Sequence, residues 1–142
     1  MERNGVHDIS RSERRIYLSR NDAGTRRVAN EAEFFAALRD LDFESVQCSK
    51  LSFSEQVKLF REASVIVGPH GAAMANLIFS NHGARFLELG THAYTNPCFE
   101  YLCASAGLLY SKFHGEAEQS GDPSSDYVVD VDTLIAKLED LI

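Results

Sequence analysis

The chain has 142 residues, of which 44% are apolar and 25% charged, with a formal net charge of −7. That describes one soluble globular domain with room for a full core, and the acidic balance disfavours a generic nucleic-acid role. No apolar run approaches the ~20 residues of a membrane span, and residues 1–15 lack an apolar signal-peptide core, so a cytoplasmic location is expected.

Residues 1–13 read as a polar lead-in and 14–142 as the domain. The charge is uneven: residues 1–27 carry seven arginines against four acids, and residues 115–142 carry eight acids and one lysine. Ile16 to Ser19 is a short apolar strand ending at Arg20. Asn30 and Glu33 suggest an N-terminal cap, and Phe34, Phe35, Leu38 and Leu41 then repeat at helical spacing. Phe43 to Cys48 alternates as a strand. Ser52 and Glu55 form a second capping pair, ahead of Phe53, Val57 and Phe60 on one helix face.

The most informative stretch is Ser64 to Asn76. Val65, Ile66 and Val67 read as a parallel strand buried on both faces. Gly68, Pro69 and Gly71 turn the chain, and a helix of small residues follows from Gly71 or Ala72. Free amides at such a helix start suit an anion, most usefully a diphosphate. Further on come a strand at Arg85–Leu89, a helix over Asn96–Ala106, a strand near Leu108–Phe113, and a loop over Glu116–Ser125. A short extended piece at Tyr127–Val131 precedes a final amphipathic helix that starts near Asp130 or Asp132. Strands alternating with helices predict an α/β domain with a doubly wound, mostly parallel sheet, whose ligands bind at the carboxyl ends of the strands. Arg20, the Gly68–Gly71 turn and Glu88 fall at such ends. Three unpaired cysteines (Cys48, Cys98, Cys103) and scattered histidines predict neither a disulfide framework nor a metal site.

Five segments in order carry a resemblance: Ile16–Arg20, Arg26–Glu31, Leu51–Gln56, Val67–Ala73 with Asn76, and Gly83–Glu88. Together they resemble glycosyltransferase family 61, which includes capsular-polysaccharide enzymes, plant xylosyl- and arabinosyltransferases and eukaryotic O-linked N-acetylglucosaminyltransferases. The resemblance implies a GT-B architecture, Rossmann-like halves and inverting transfer without a metal. This chain would be the C-terminal, donor-binding half, holding a nucleotide-sugar (expected to be a UDP-sugar) with no further cofactor. A glycan or protein acceptor would be met through a domain absent from this chain, so the chain alone would be catalytically incomplete. A non-catalytic nucleotide- or partner-binding remnant is the alternative. An exposed cleft edge would favour self-association.

Each candidate residue has a chemical reason. His70 is the catalytic candidate: its imidazole suits a donor phosphate or, as a cation, the departing diphosphate. Gly71, Ala72 and Ala73 would offer amides and clearance. Arg20 is a phosphate clamp by its bidentate guanidinium. Asn76 would touch the ligand or pin a neighbouring loop. Glu88 would accept ribose hydroxyls or pair with an arginine such as Arg20. Glu31 reads as structural, Arg26 and Arg27 as able to reach the donor or the other domain, and Gln56 as part of a helix start. Asp42 stands where the family commonly has glycine and is expected to take a left-handed cap conformation. The general base is expected from the other half.

Overall fold

The computed structural model describes residues 14–142, so the lead-in 1–13 lies outside the described residues. Five parallel strands form one sheet: β1 (Arg14–Leu18), β2 (Phe43–Val46), β3 (Ala63–Pro69), β4 (Arg85–Gly90) and β5 (Leu109–His114). Their spatial order is β2-β1-β3-β4-β5, a doubly wound α/β arrangement. The winding direction reverses between β1 and β3, and a crevice opens there beyond the carboxyl ends of the strands.

Parity along the strands divides the core. Ile16, Leu18, Ile66 and Phe86 face α2 (Phe53–Glu62), a 3-10 helix at Ala72–Phe79 and α3 (Cys98–Ala106). Tyr17, Val65, Val67, Leu87 and Leu89 face α1 (Glu31–Arg39) and α4 (Val131–Leu141), where Phe34, Leu38, Leu134 and Leu138 are buried. Burying both faces removes the apolar–polar alternation of a half-exposed strand, and Val65–Val67 is therefore a continuous apolar run.

The local signals act as their chemistry requires, with three differences. Ser52 caps α2 by accepting from Glu55 N at 3.2 Å, and Asp42 takes a positive φ of 63° after α1. Asn30 precedes α1 but makes no side-chain cap. Its amide instead donates to Val129 O at 2.7 Å and accepts from Val129 N at 2.9 Å, because the C-terminal segment lies beside it. The segment after Gly71 winds as a 3-10 helix over Ala72–Phe79 in place of the expected α-helix. It is held along its length by Met74 packed in the core and by a side-chain bond from Asn76. The expected loop over 116–125 contains β6 (Glu116–Ala117), paired antiparallel with β7 (Tyr127–Val128).

Candidate functional site

The loop after β1 and the turn after β3 meet at the reversal point around an open hollow of about 550 Å³. Leu18, Ser19 and Arg20 form one side. Gly71, Ala72, Ala73, Met74 and Asn76 form the other, and Cys48, Ser49 and Gln56 add a third wall. Arg20, Gly71, Ala72, Ala73 and Asn76, all read from the sequence as ligand-facing, therefore share one cavity.

Two glycines make this corner possible. A Cβ at Gly68 would run into the Met74 terminal methyl and stand 3.1 Å from Leu18 O. Glycine there lets β3 lie close to β1 with Met74 folded over it. At Gly71 a Cβ would stand 2.6 Å from Arg20 Nη1, so the guanidinium rests against the bare backbone of the turn. The first helical hydrogen bond runs from Met74 N to Gly71 O at 3.0 Å. The amides of Ala72 and Ala73 precede that bond and have no acceptor inside the helix. A cation and free N–H groups thus border the same space, which is the donor set an anion needs.

Arg20 is only partly engaged: its Nε donates to Thr25 O at 3.1 Å. Burial lowers its pKa, and the positive charge of Arg26 adds to that shift. Asn76 pins the wall. Its Nδ2 donates to Gln56 Oε1 at 2.7 Å, and Gln56 Nε2 donates in turn to the carbonyls of Cys48 and Leu51. Gln56, expected only as part of a helix start, also lines the hollow and ties Asn76 to the Cys48–Leu51 segment. Its inclusion in the Leu51–Gln56 segment was the available signal. Glu31 is structural, accepting from Tyr17 OH at 3.1 Å and Ser19 Oγ at 2.7 Å, and so steadies the end of β1.

His70 and Glu88 do not line the hollow. Both point to the α3 side of the sheet, in step with Ile66 and Phe86. The Glu88 residue is 1% exposed. Its Oε2 faces His70 Nδ1 at 3.5 Å, while its Oε1 accepts from Tyr110 OH at 3.3 Å and lies 3.8 Å from Lys112 Nζ. The expected pairing with Arg20 fails because β3 stands between β1 and β4, a separation of about 10 Å at the usual strand spacing. Lys112, opposite Glu88 in register, supplies the cation. The Glu88 carboxylate, expected to accept ribose hydroxyls, is closed off from solvent in this structure. The His70 side chain is 11% exposed and packs against Tyr94 and Phe99. It supports the turn from beneath. Burial and then the Glu88 charge push the Tyr110 phenol above its ordinary value. Among the described residues, no three His, Cys, Asp or Glu side chains converge as metal ligands. No helix among those residues is long and apolar enough to cross a membrane.

The family profile described as Glycosyltransferase 61 matches residues 3–87, a span that contains every residue lining the hollow. The chain belongs to glycosyltransferase family 61. It is 32% identical over 97 residues to an EGF domain-specific O-linked N-acetylglucosamine transferase of Drosophila melanogaster, covering 66% of this chain and 18% of that protein. It is 30% identical over 64 residues to a beta-1,2-xylosyltransferase of Arabidopsis thaliana, covering 45% of this chain and 12% of that protein. A beta-1,2-xylosyltransferase of Oryza sativa subsp. japonica is 25% identical over 92 residues, 59% of this chain and 17% of that protein. This family 61 chain therefore spans less than a fifth of the length of each of these relatives.

Proposed function

We propose that this domain is the donor-binding part of an inverting, metal-independent glycosyltransferase of GT-B architecture. In this reading it holds a UDP-sugar by its diphosphate in the hollow between β1 and β3. The observation that carries the reading is the placement of the Arg20 guanidinium against Gly71, beside the unengaged amides of Ala72 and Ala73. As the sugar leaves, negative charge builds on the departing diphosphate. A fixed guanidinium and oriented amides stabilise that charge without reorganising at the moment of bond cleavage. The Asn76–Gln56 bond keeps the wall in place. His70, packed against Tyr94 and Phe99, holds the turn that presents the amides. The acceptor glycan or protein, and the base that takes its hydroxyl proton, belong to a further domain.

Calorimetric titration with UDP, UDP-N-acetylglucosamine and UDP-xylose tests the reading, with Arg20→Gln as the control. Saturable binding that is lost in the variant supports it. Absence of heat at millimolar ligand refutes it. Binding by the domain, combined with no donor-dependent transfer from a longer protein that contains it, would favour the non-catalytic alternative.

A further inference from the structure

Beside the end of β3 the domain encloses a second cavity, distinct from the hollow and of about 10 Å³. Four segments close around it: Arg26 from the loop after β1, His70 after β3, Thr91 and Tyr94 after β4, and Ser125 and Tyr127 at β7. A space of this size holds about one water molecule.

The polar atoms around the cavity do not satisfy one another. Five buried side-chain atoms lack a hydrogen-bond partner among the described residues: Arg26 Nε, His70 Nδ1, Ser80 Oγ, Glu88 Oε2 and Tyr127 OH. Two of these account for each other, since His70 Nδ1 faces Glu88 Oε2 at 3.5 Å. Ser80 does not border the cavity. Arg26 Nε and Tyr127 OH remain, and both residues wall the same small space. Ser125, on the same wall, is already engaged: its Oγ accepts from Gln119 N at 3.0 Å and donates to Asp126 O at 2.7 Å. Buried polar groups in native proteins are almost always paired, with an internal water where no protein group serves.

The two groups suit a water between them. Arg26 Nε–H can only donate. Burial pushes the Tyr127 phenol well above its ordinary range, so it stays an intact hydroxyl able to donate or accept. A water accepts from Nε–H and exchanges a second bond with the hydroxyl. Both partners are held where they stand. Tyr127 is 1% exposed, and its backbone N donates to Arg27 O at 3.0 Å. The Arg26 guanidinium carbon lies 4.2 Å from the centre of the Tyr94 ring, and its backbone N donates to Ser124 O at 3.2 Å. Arg26 also has a φ of +55°, a strained conformation that persists only where its surroundings over-determine it. A bond to Nε from inside the cavity is one more such tie.

We infer that this cavity is the site of one internal water that bridges Arg26 Nε to Tyr127 OH and so joins the loop after β1 to β7. The inference goes beyond the donor reading and does not depend on a ligand in the hollow. It gives the loop that carries Arg20 an inner anchor.

A high-resolution crystal structure of the whole chain should show one water within about 2.7–3.2 Å of both atoms. No density in the cavity, or a direct bond between Arg26 and Tyr127, overturns the inference. An anomalous peak there after bromide exchange makes the occupant a halide and overturns it too. Urea denaturation adds a test by sign. Tyr127→Phe keeps the ring and deletes the hydroxyl. With the water present that hydroxyl is bonded, and its loss should shift the unfolding equilibrium about fivefold toward the unfolded chain. A variant as stable as wild type, or more so, would mean that the substitution removed an orphaned group, and overturns the bridge. Arg26→Met keeps an unbranched side chain and removes Nε. Combined with Tyr127→Phe, it should cost less than the two single losses together, because both groups hold one water. Fully additive losses also overturn the bridge, and the sign for Tyr127→Phe stands if Arg26→Met fails to fold. Titration of the wild type with UDP is read separately: its failure touches the donor reading alone.

Discussion

Replacing Gly71 with alanine separates binding from stability at a single atom. The residue has a φ of −178°, extended backbone that alanine adopts freely. The new Cβ would stand 2.6 Å from Arg20 Nη1, against 3.4 Å for ordinary contact, so the guanidinium must withdraw by about 0.8 Å. Arg20 is the tip of a flexible side chain, so the withdrawal costs little. The stability change should stay within about 0.5 kcal/mol, or gain slightly from a less flexible unfolded chain. Binding is less tolerant. Guanidinium–phosphate bonds run at about 2.7–2.9 Å, and a retreat of this size breaks one, weakening UDP roughly tenfold or more. Gly68→Ala is the contrast. There the Cβ meets Leu18 O at 3.1 Å and Leu18 Cβ at 3.2 Å, part of the sheet itself. That crowding should cost about 1–3 kcal/mol. Urea denaturation and calorimetry on both variants read out the two effects. If Gly71→Ala loses as much stability as Gly68→Ala, the guanidinium does not absorb the crowding. If its UDP affinity matches wild type, Arg20 does not touch the ligand.

A double-mutant cycle of Gln56→Ala and Asn76→Ala should give a coupling of about 0.5–1.5 kcal/mol in urea denaturation, the value of a half-buried hydrogen bond. Strictly additive losses would mean that the two amides do not brace each other. Cys98 is exposed, whereas Cys48 and Cys103 are buried and their thiols pushed up, Cys103 to about 11. One thiol per chain should therefore react quickly with Ellman's reagent at pH 8, and all three after guanidinium unfolding; two fast native thiols would contradict the packing. The Arg27 backbone amide, then its guanidinium, hold the Asp126 carboxyl below the usual range. A carboxyl depressed in the folded state stabilises above its unfolded value near 4, and that contribution fades as pH falls through the lower folded value. Asp126→Asn should cost about 1 kcal/mol at pH 7 and flatten the acid limb of stability. An unchanged slope between pH 5 and pH 2 would exclude this role.

What could be read from the sequence was mostly local. The apolar run Val65–Val67 and the Ser52 cap each follow from one residue and its near neighbours, the left-handed Asp42 from its place where family 61 commonly has glycine, and each is present in the structure. Gly71 to Ala73 faces a hollow because the break after a buried strand leaves amides free at its carboxyl end. What escaped depended on the order of strands in space. Glu88 could be recognised as an acid in need of a partner, but Lys112 is a neighbour only because β5 lies beside β4. Asn30 looks like a cap until Val129, 99 residues away, takes both of its amide groups. The extended piece at Tyr127–Val128 was legible, but its partner β6, two residues long inside an expected loop, is too short to leave a periodic trace.

The loop after β1 is moored by chain that lies far ahead of it. Ala29 N donates to Tyr127 O at 2.8 Å, Tyr127 N to Arg27 O at 3.0 Å, and Arg26 N to Ser124 O at 3.2 Å. During synthesis, β1 leaves the ribosome roughly a hundred residues before these anchors exist, so the arginines of this loop cannot settle until residues 124–129 have emerged. The sheet can assemble through β5 beforehand, which leaves a late, low-cost step that closes one corner of the domain. Amide exchange should accordingly open the loop and the 124–129 segment as one unit, at a lower free energy than β3.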